Sequence, residues 1–194
     1  MTRSRLSRRG FIAAAAALPL AAPAVLRAET PDPTVEAADV VRRNISSFKA
    51  ERWQDHFESL GKAAILADTV SRALHFWSAD GETYRLYPTS VPRTDELTKR
   101  GYTEIVRKKE GPTWTPTASM HERFSDLPKV MPAGTDNPLG THALYLSWPA
   151  YLIHGTHDTR KIGRRSSDGC IGLFNEKIAE LYAIVPVGTQ VRLI

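Results

Sequence analysis

The spacing of apolar residues changes three times along the chain. Near the start, Phe11-Ile12 opens an alanine- and leucine-rich run interrupted by Pro19 and Pro23. Over residues 35–60, Val40, Val41, Ile45, Phe48, Trp53, Phe57 and Leu60 recur at close to helical spacing, which predicts a helical arm. From residue 63 the runs become short. Residues 65–69 and 73–77 read as strands, Ser78-Ala79-Asp80-Gly81 as a turn, and 83–87 as an alternating strand. Residues 111–140 are rich in Pro, Thr and Gly and predict long loops. Strands follow over 143–146 and 151–153. Asn175 is placed to cap a helix over 176–184, and Pro186-Val187-Gly188 turns the chain into a last strand over 190–194. Many short strands joined by loops predict a mainly β domain, a sandwich or partly open barrel with a few short helices, preceded by the arm.

The opening run is too short and too broken by proline to span a bilayer as a helix. The pair Arg8-Arg9 ahead of it resembles a twin-arginine export signal, with small residues suited to cleavage near Ala24 or after Ala28. The expected organisation is therefore a signal over 1–28, a linker and helical arm over 29–60, and a main domain over 61–194. The expected location is the periplasm. Removing the signal changes the charge. The chain carries 26 Lys+Arg and 21 Asp+Glu, net +5, but Arg3, Arg5, Arg8, Arg9 and Arg27 all lie in the signal, which has no acids. The remainder balances at 21 against 21. A nucleic-acid partner needs a basic face on the mature domain, and this count removes its main support.

Export sharpens the meaning of the single cysteine, Cys170. One thiol cannot form an internal disulfide, so in an oxidising compartment it is buried, bonded to another chain, or retained because it reacts. It follows Ser167-Asp168-Gly169, and His154 stands sixteen positions upstream, after a short strand and before Gly155. A thiol attacks carbonyl carbon as thiolate and needs a base to become one. Gly155 leaves room around the imidazole, whose second nitrogen a backbone carbonyl can hold. Gly169 allows the tight turn that brings amide N–H groups toward a developing oxyanion.

The stretch "IHGT…SSDGCIGL" resembles the catalytic segment of the L,D-transpeptidase (YkuD) family. That resemblance aligns His154 with the family's base, Ser167 with its Ser/Thr, Gly169 with its Gly and Cys170 with its nucleophile. "WTPTASM", "NPLGTHALYL" and "LYAIVPVGTQVRLI" extend the likeness over residues 61–194. It implies acyl transfer on peptidoglycan stem peptides through a thioester on Cys170, acylation by carbapenems, and no requirement for a metal or organic cofactor.

Two positions depart from the family pattern. Asp168 stands where the family has His, and a carboxylate beside a thiolate raises the thiol pKa. Asp168 is therefore expected to point away or to pair with Arg164, Arg165 or His157. Gly172 stands where Asn or Arg helps organise the peptide site, and Arg164 or Arg165 is the expected replacement charge. Trp114 and Trp148 are candidate floors of a peptide groove. Three other readings compete: a metal set of His157, Asp158 and Cys170, a hydrolase on the same fold, and an inactive wall-binding module.

Overall fold

The computed structural model describes residues 49–194. The export signal, the linker and most of the expected arm lie outside those residues. The chain runs through β1 (Ala63–Asp68), β2 (Ala73–Ser78), β3 (Tyr84–Pro88), β4 (Val91–Pro92), β5 (Gly101–Glu110), α1 (Ala118–Arg123) and β6 (His142–Leu146). It continues through β7 (Leu152–His154), β8 (Arg165–Ser167), β9 (Ile171–Gly172), α2 (Asn175–Ile184) and β10 (Gln190–Leu193). Eight strands form one sheet in the order β3-β2-β1-β10-β5-β6-β7-β9, and β4 pairs separately with β8. The sheet curls into a half-barrel whose edges, β3 and β9, do not meet in the ladder, which is the mainly β, partly open architecture expected. Among the described residues no helix is long and apolar enough to cross a membrane.

Strand alternation builds two apolar layers from one sheet. Ala63, Ile65 and Ala67 of β1 face the main core with Leu74, Phe76, Ile105, Leu144, Ile153 and Val191, and Ile178 and Leu181 of α2 enter the same core. Ala64 and Leu66 face the other way, into a second cluster with Trp77, Phe57 and Leu60. This explains why every residue of β1 is buried: the strand is covered on both faces, so its sequence reads as a continuous apolar run.

The second cluster corrects the helical reading of residues 49–60. The only helical turn there is a 3-10 turn, Trp53–Asp55. Phe57 and Leu60 are buried at 6% and 7% exposure on the outer face of β1 and β2. Their spacing answers to a sheet surface that needed covering, not to a helix with its own apolar stripe. Residues 35–48 of the expected arm lie outside the described residues.

Two further differences shape the site. The loop over 111–140 contains the short helix α1, capped by the Thr117 hydroxyl, which accepts from the Met120 N–H. It is also held in one shape by buried Asn137, whose side-chain amide donates to the Pro112 and Pro132 carbonyls at 2.9 Å each. At α2, Asn175 is the first helical residue rather than the cap. Phe174 holds the cap position without a side-chain bond, and the Asn175 side chain reaches out of the helix to accept from the Thr141 N–H at 3.1 Å.

Phe57→Ala is expected to lower stability by about 3–5 kcal/mol, the usual cost of emptying a buried phenylalanine site. Urea unfolding would check this, and an unchanged midpoint would show that the 53–60 segment does not cover the sheet in solution.

Candidate active site

Strands β7 and β9 carry the candidate chemistry. They pair in parallel, with Ile153 opposite Ile171 and His154 opposite Gly172. Residues opposed in a ladder share a face, as do residues two apart along a strand. The register therefore turns His154, Gly172 and Cys170 to one side. Ile153 and Ile171, fully buried in the core, hold the other side. The Leu173 N–H donates to the His154 carbonyl at 2.8 Å and continues the pairing. The ladder thus sets His154 opposite Gly172, two residues beyond Cys170, and brings segments far apart in sequence onto adjacent strands.

His154 and Cys170 open on the same cavity, of about 520 Å³. Trp114, Met120, Phe124, Leu127 and Met131, from the 111–140 segment, supply much of its apolar wall, and Ser90, Ser167, Asp168, His157 and Lys161 add polar groups. The His154 Nδ1 lies 2.5 Å from the Gly155 carbonyl. A carbonyl only accepts, so Nδ1 carries the hydrogen and Nε2 keeps its lone pair. The Cys170 thiol donates to the Ala150 carbonyl at 3.6 Å. Ala150 presents that carbonyl from a left-handed backbone, φ 62°, a conformation that costs a non-glycine residue about 1–3 kcal/mol.

Burial sets the protonation states. It pushes the His154 imidazole down to about 4, with the Lys161 charge adding to the drop and the Gly155 bond opposing it. It pushes the Cys170 thiol up to about 11, opposed by a backbone hydrogen bond from Leu152 and reinforced by the Asp168 charge. Both shifts favour an uncharged imidazole and an uncharged thiol over an imidazolium–thiolate pair.

The remaining candidates separate. Ser167 lines the cavity and acts on its own loop: its hydroxyl donates to the Cys170 carbonyl at 2.5 Å and accepts from the Gly169 N–H at 3.4 Å. Gly169 holds φ +133°, with the Tyr151 ring 3.5 Å from where a Cβ would sit, so the nucleophile turn is open only to glycine. Asp168 does not pair with Arg164, Arg165 or His157. Its Oδ1 is bound by Arg93 and, at 2.7 Å, by Arg123. Arg165 is spent on Asp95 at 2.9 Å, Arg164 is exposed, and neither lines the cavity. The expectation that one of them replaces the residue-172 charge is therefore corrected. Trp114 lines the cavity, whereas Trp148 does not: it packs edge-on against Tyr151 with Lys99 over its ring. Asp158 turns to Arg160 at 2.8 Å, and among the described residues no three His, Cys, Asp or Glu side chains are placed to share a metal ion.

Several residues at the site escaped the sequence reading. Ser90 bridges Gly172 through two backbone hydrogen bonds of 2.9 and 3.1 Å. Its hydroxyl fills the space a Cβ at 172 would enter, which accounts for glycine at that position. Gly140, at φ +62°, lies so close to the Asn175 amide oxygen and the Gly155 backbone that a Cβ would come within 2.7 Å of the Gly155 carbonyl carbon. Gly140 and Asn175 thereby fix the peptide whose oxygen holds His154. The sequence marks 111–140 as loop, but the partner of Gly140 across the fold was not visible in it.

An imidazole and a thiol that open on one cavity, at a half-barrel edge, mark a candidate cysteine acyl-transfer centre. The L,D-transpeptidase catalytic domain model, YkuD, matches residues 62–193, and the chain belongs to this family, whose members are acyltransferases. It is 64% identical over 182 residues to a Fuscovulum blasticum protein of the ATP synthase subunits region (ORF 5) named as an L,D-transpeptidase, covering 93% of this chain and 96% of that one. It is 41% identical over 135 residues to Escherichia coli YbiS, named likewise, covering 67% of this chain but only 44% of YbiS. Among solved structures, an L,D-transpeptidase from Stackebrandtia nassauensis shares the fold at TM-score 0.56 and 16% identity, over 82% of this chain and 66% of that one. The L,D-transpeptidase LdtMt1 in complex with imipenem shares it at TM-score 0.53 and 18% identity, over 69% and 59%.

With the thiol raised and the imidazole lowered, alkylation of Cys170 by iodoacetamide should climb through neutral pH and on past about pH 9. A rate that levels off below about pH 7 would mean an ion pair instead. Gly140→Ala forces both a left-handed alanine and a backbone overlap, and should destabilise the fold by at least about 2 kcal/mol, read by thermal or urea unfolding.

Proposed function

We propose that this protein is an exported, cysteine-dependent L,D-transpeptidase acting on peptidoglycan stem peptides in the periplasm. The observation that carries this reading is the shared cavity: the only thiol and a neutral, singly protonated imidazole open on one space large enough for a peptide segment. His154 Nε2 takes the Cys170 proton as sulfur bonds to the carbonyl carbon of a stem peptide. The carbon–nitrogen bond to the terminal D-residue breaks, and His154 returns the proton to the leaving amine. An amine from a second stem, or a free D-amino acid, then attacks the thioester, and the sulfur leaves with its proton restored. The Cys170 backbone N–H is offered to the oxyanion, and Ser167, which accepts from the Gly169 N–H and donates to the Cys170 carbonyl, holds that turn in shape.

The apolar wall favours amine transfer over hydrolysis, because it limits the water that could compete for the thioester. A carbapenem is expected to acylate the same sulfur. The relative in complex with imipenem supports this expectation.

Incubation of the full chain with purified stem tetrapeptides should yield joined or exchanged stems by mass spectrometry, and imipenem should leave a covalent adduct. Both should vanish in Cys170→Ala. His154→Ala should lower kcat/KM by about 10²–10⁴. Cut cross-links without joined products would make the protein a hydrolase, and retained wall binding without any covalent change would make it a binding module.

A further inference from the structure

We infer that Arg93 and Arg123, gathered on Asp168 at the edge of the cavity, form an anion subsite that holds a carboxylate of the substrate beside Cys170. For the identity of its ligand the inference rests on the transpeptidase reading; for its existence it does not.

Asp168 lies two residues before the nucleophile and lines the cavity. Arg93 and Arg123 converge on the same oxygen of its carboxylate. One negative charge for two positive ones leaves an excess cation at this edge, while on the cavity wall Lys161 is set against Asp136. Neither guanidinium is sealed off: the side chains are 34% and 36% exposed, against 19% for Asp168. Arg123 is further oriented by donating from Nε to the Ser119 carbonyl at 3.0 Å. Its planar head is thereby positioned before any ligand arrives, the arrangement that suits arginine to carboxylates.

The two arginines come from different parts of the chain. Arg93 follows β4, and Arg123 ends α1 in the apolar cavity segment. Asp168 is what brings them together. A carboxylate two residues from a thiol is a liability for the thiolate, and here it organises two cations. Gly172 supplies no side chain on this face, and Arg164 and Arg165 are directed elsewhere. Neither Arg93 nor Arg123 lines the cavity itself; both reach its edge through Asp168, which does, and there they are placed to meet a stem peptide's carboxylate, leaving its reacting carbonyl for Cys170.

The single cysteine makes the test unambiguous. Iodoacetate and iodoacetamide are similar in size and reactivity toward sulfur, but only the first is a carboxylate. On the full chain, the ratio of their rates at Cys170 should fall about two- to fivefold in Arg93→Gln and in Arg123→Gln. It should stay at the wild-type value in Arg107→Gln, which removes an exposed β5 cation that stacks on Tyr145 and is not paired with Asp168. A ratio unchanged in both cavity-edge variants would overturn the subsite. If either variant fails to fold, the wild-type ratio decides: it should fall as ionic strength rises, and a flat response would overturn the proposal. With stem peptides, the same variants should raise KM for a free-carboxylate donor more than for its amidated form, with kcat changing less than KM. Equal KM effects on the two donors would overturn the assignment of the ligand. No turnover by wild type would sink the transpeptidase reading and leave the alkylation ratio to judge the subsite.

Discussion

The short parallel pairing of β7 with β9 is the constraint on which the site depends. Two residue pairs fix it, Ile153 with Ile171 and His154 with Gly172. The isoleucines bury themselves in the core and set the register. A slip of one residue would turn either His154 or Cys170 to the wrong face, since side chains alternate along a strand. The chemistry is held by apolar packing on the reverse side of the same strands. Gly140, Gly155 and Asn175 reinforce the pairing from the His154 side, and Ser90 does so from the Cys170 side by bridging Gly172.

That burial has an electrostatic consequence. Desolvating a thiol and an imidazole together lowers the acidity of one and the basicity of the other, which favours the uncharged form of each. In the proposed reaction, proton transfer would then be coupled to attack on the substrate. The Gly155 carbonyl contributes by fixing the tautomer, which keeps Nε2 available as the base. The strained Ala150 carbonyl gives the resting thiol somewhere to donate.

Asp168 shows how a departure from a family pattern is accommodated. The charge that should disfavour a thiolate is shared between two guanidiniums drawn from β4's exit and from α1. The same contact ties the apolar 111–140 segment to the nucleophile loop. The cavity wall, the charge at its edge and the reacting sulfur are therefore mechanically connected, though they are spread over three separate stretches of sequence.

Much was fixed by the chain alone. The short apolar runs over residues 65–69 and 73–77, the alternation over 83–87, the turn at Ser78–Gly81 and the closing helix and strand were legible whatever their partners, because run length, period and turn residues are local properties. The His154…Ser167-Asp168-Gly169-Cys170 order marked a candidate site as well, and the structure opens His154 and Cys170 on one cavity. What the sequence could not show were relations between distant segments. The apolar spacing over 53–60 looks helical but serves as a cover on the outer face of β1. Asn175 looks like a cap but reaches across to Thr141. The partners of Asp168 are Arg93 and Arg123 rather than the neighbouring Arg164 and Arg165. In each case proximity along the chain misled, because side-chain contacts and charges answer to distance in space, and only the tertiary structure sets that distance.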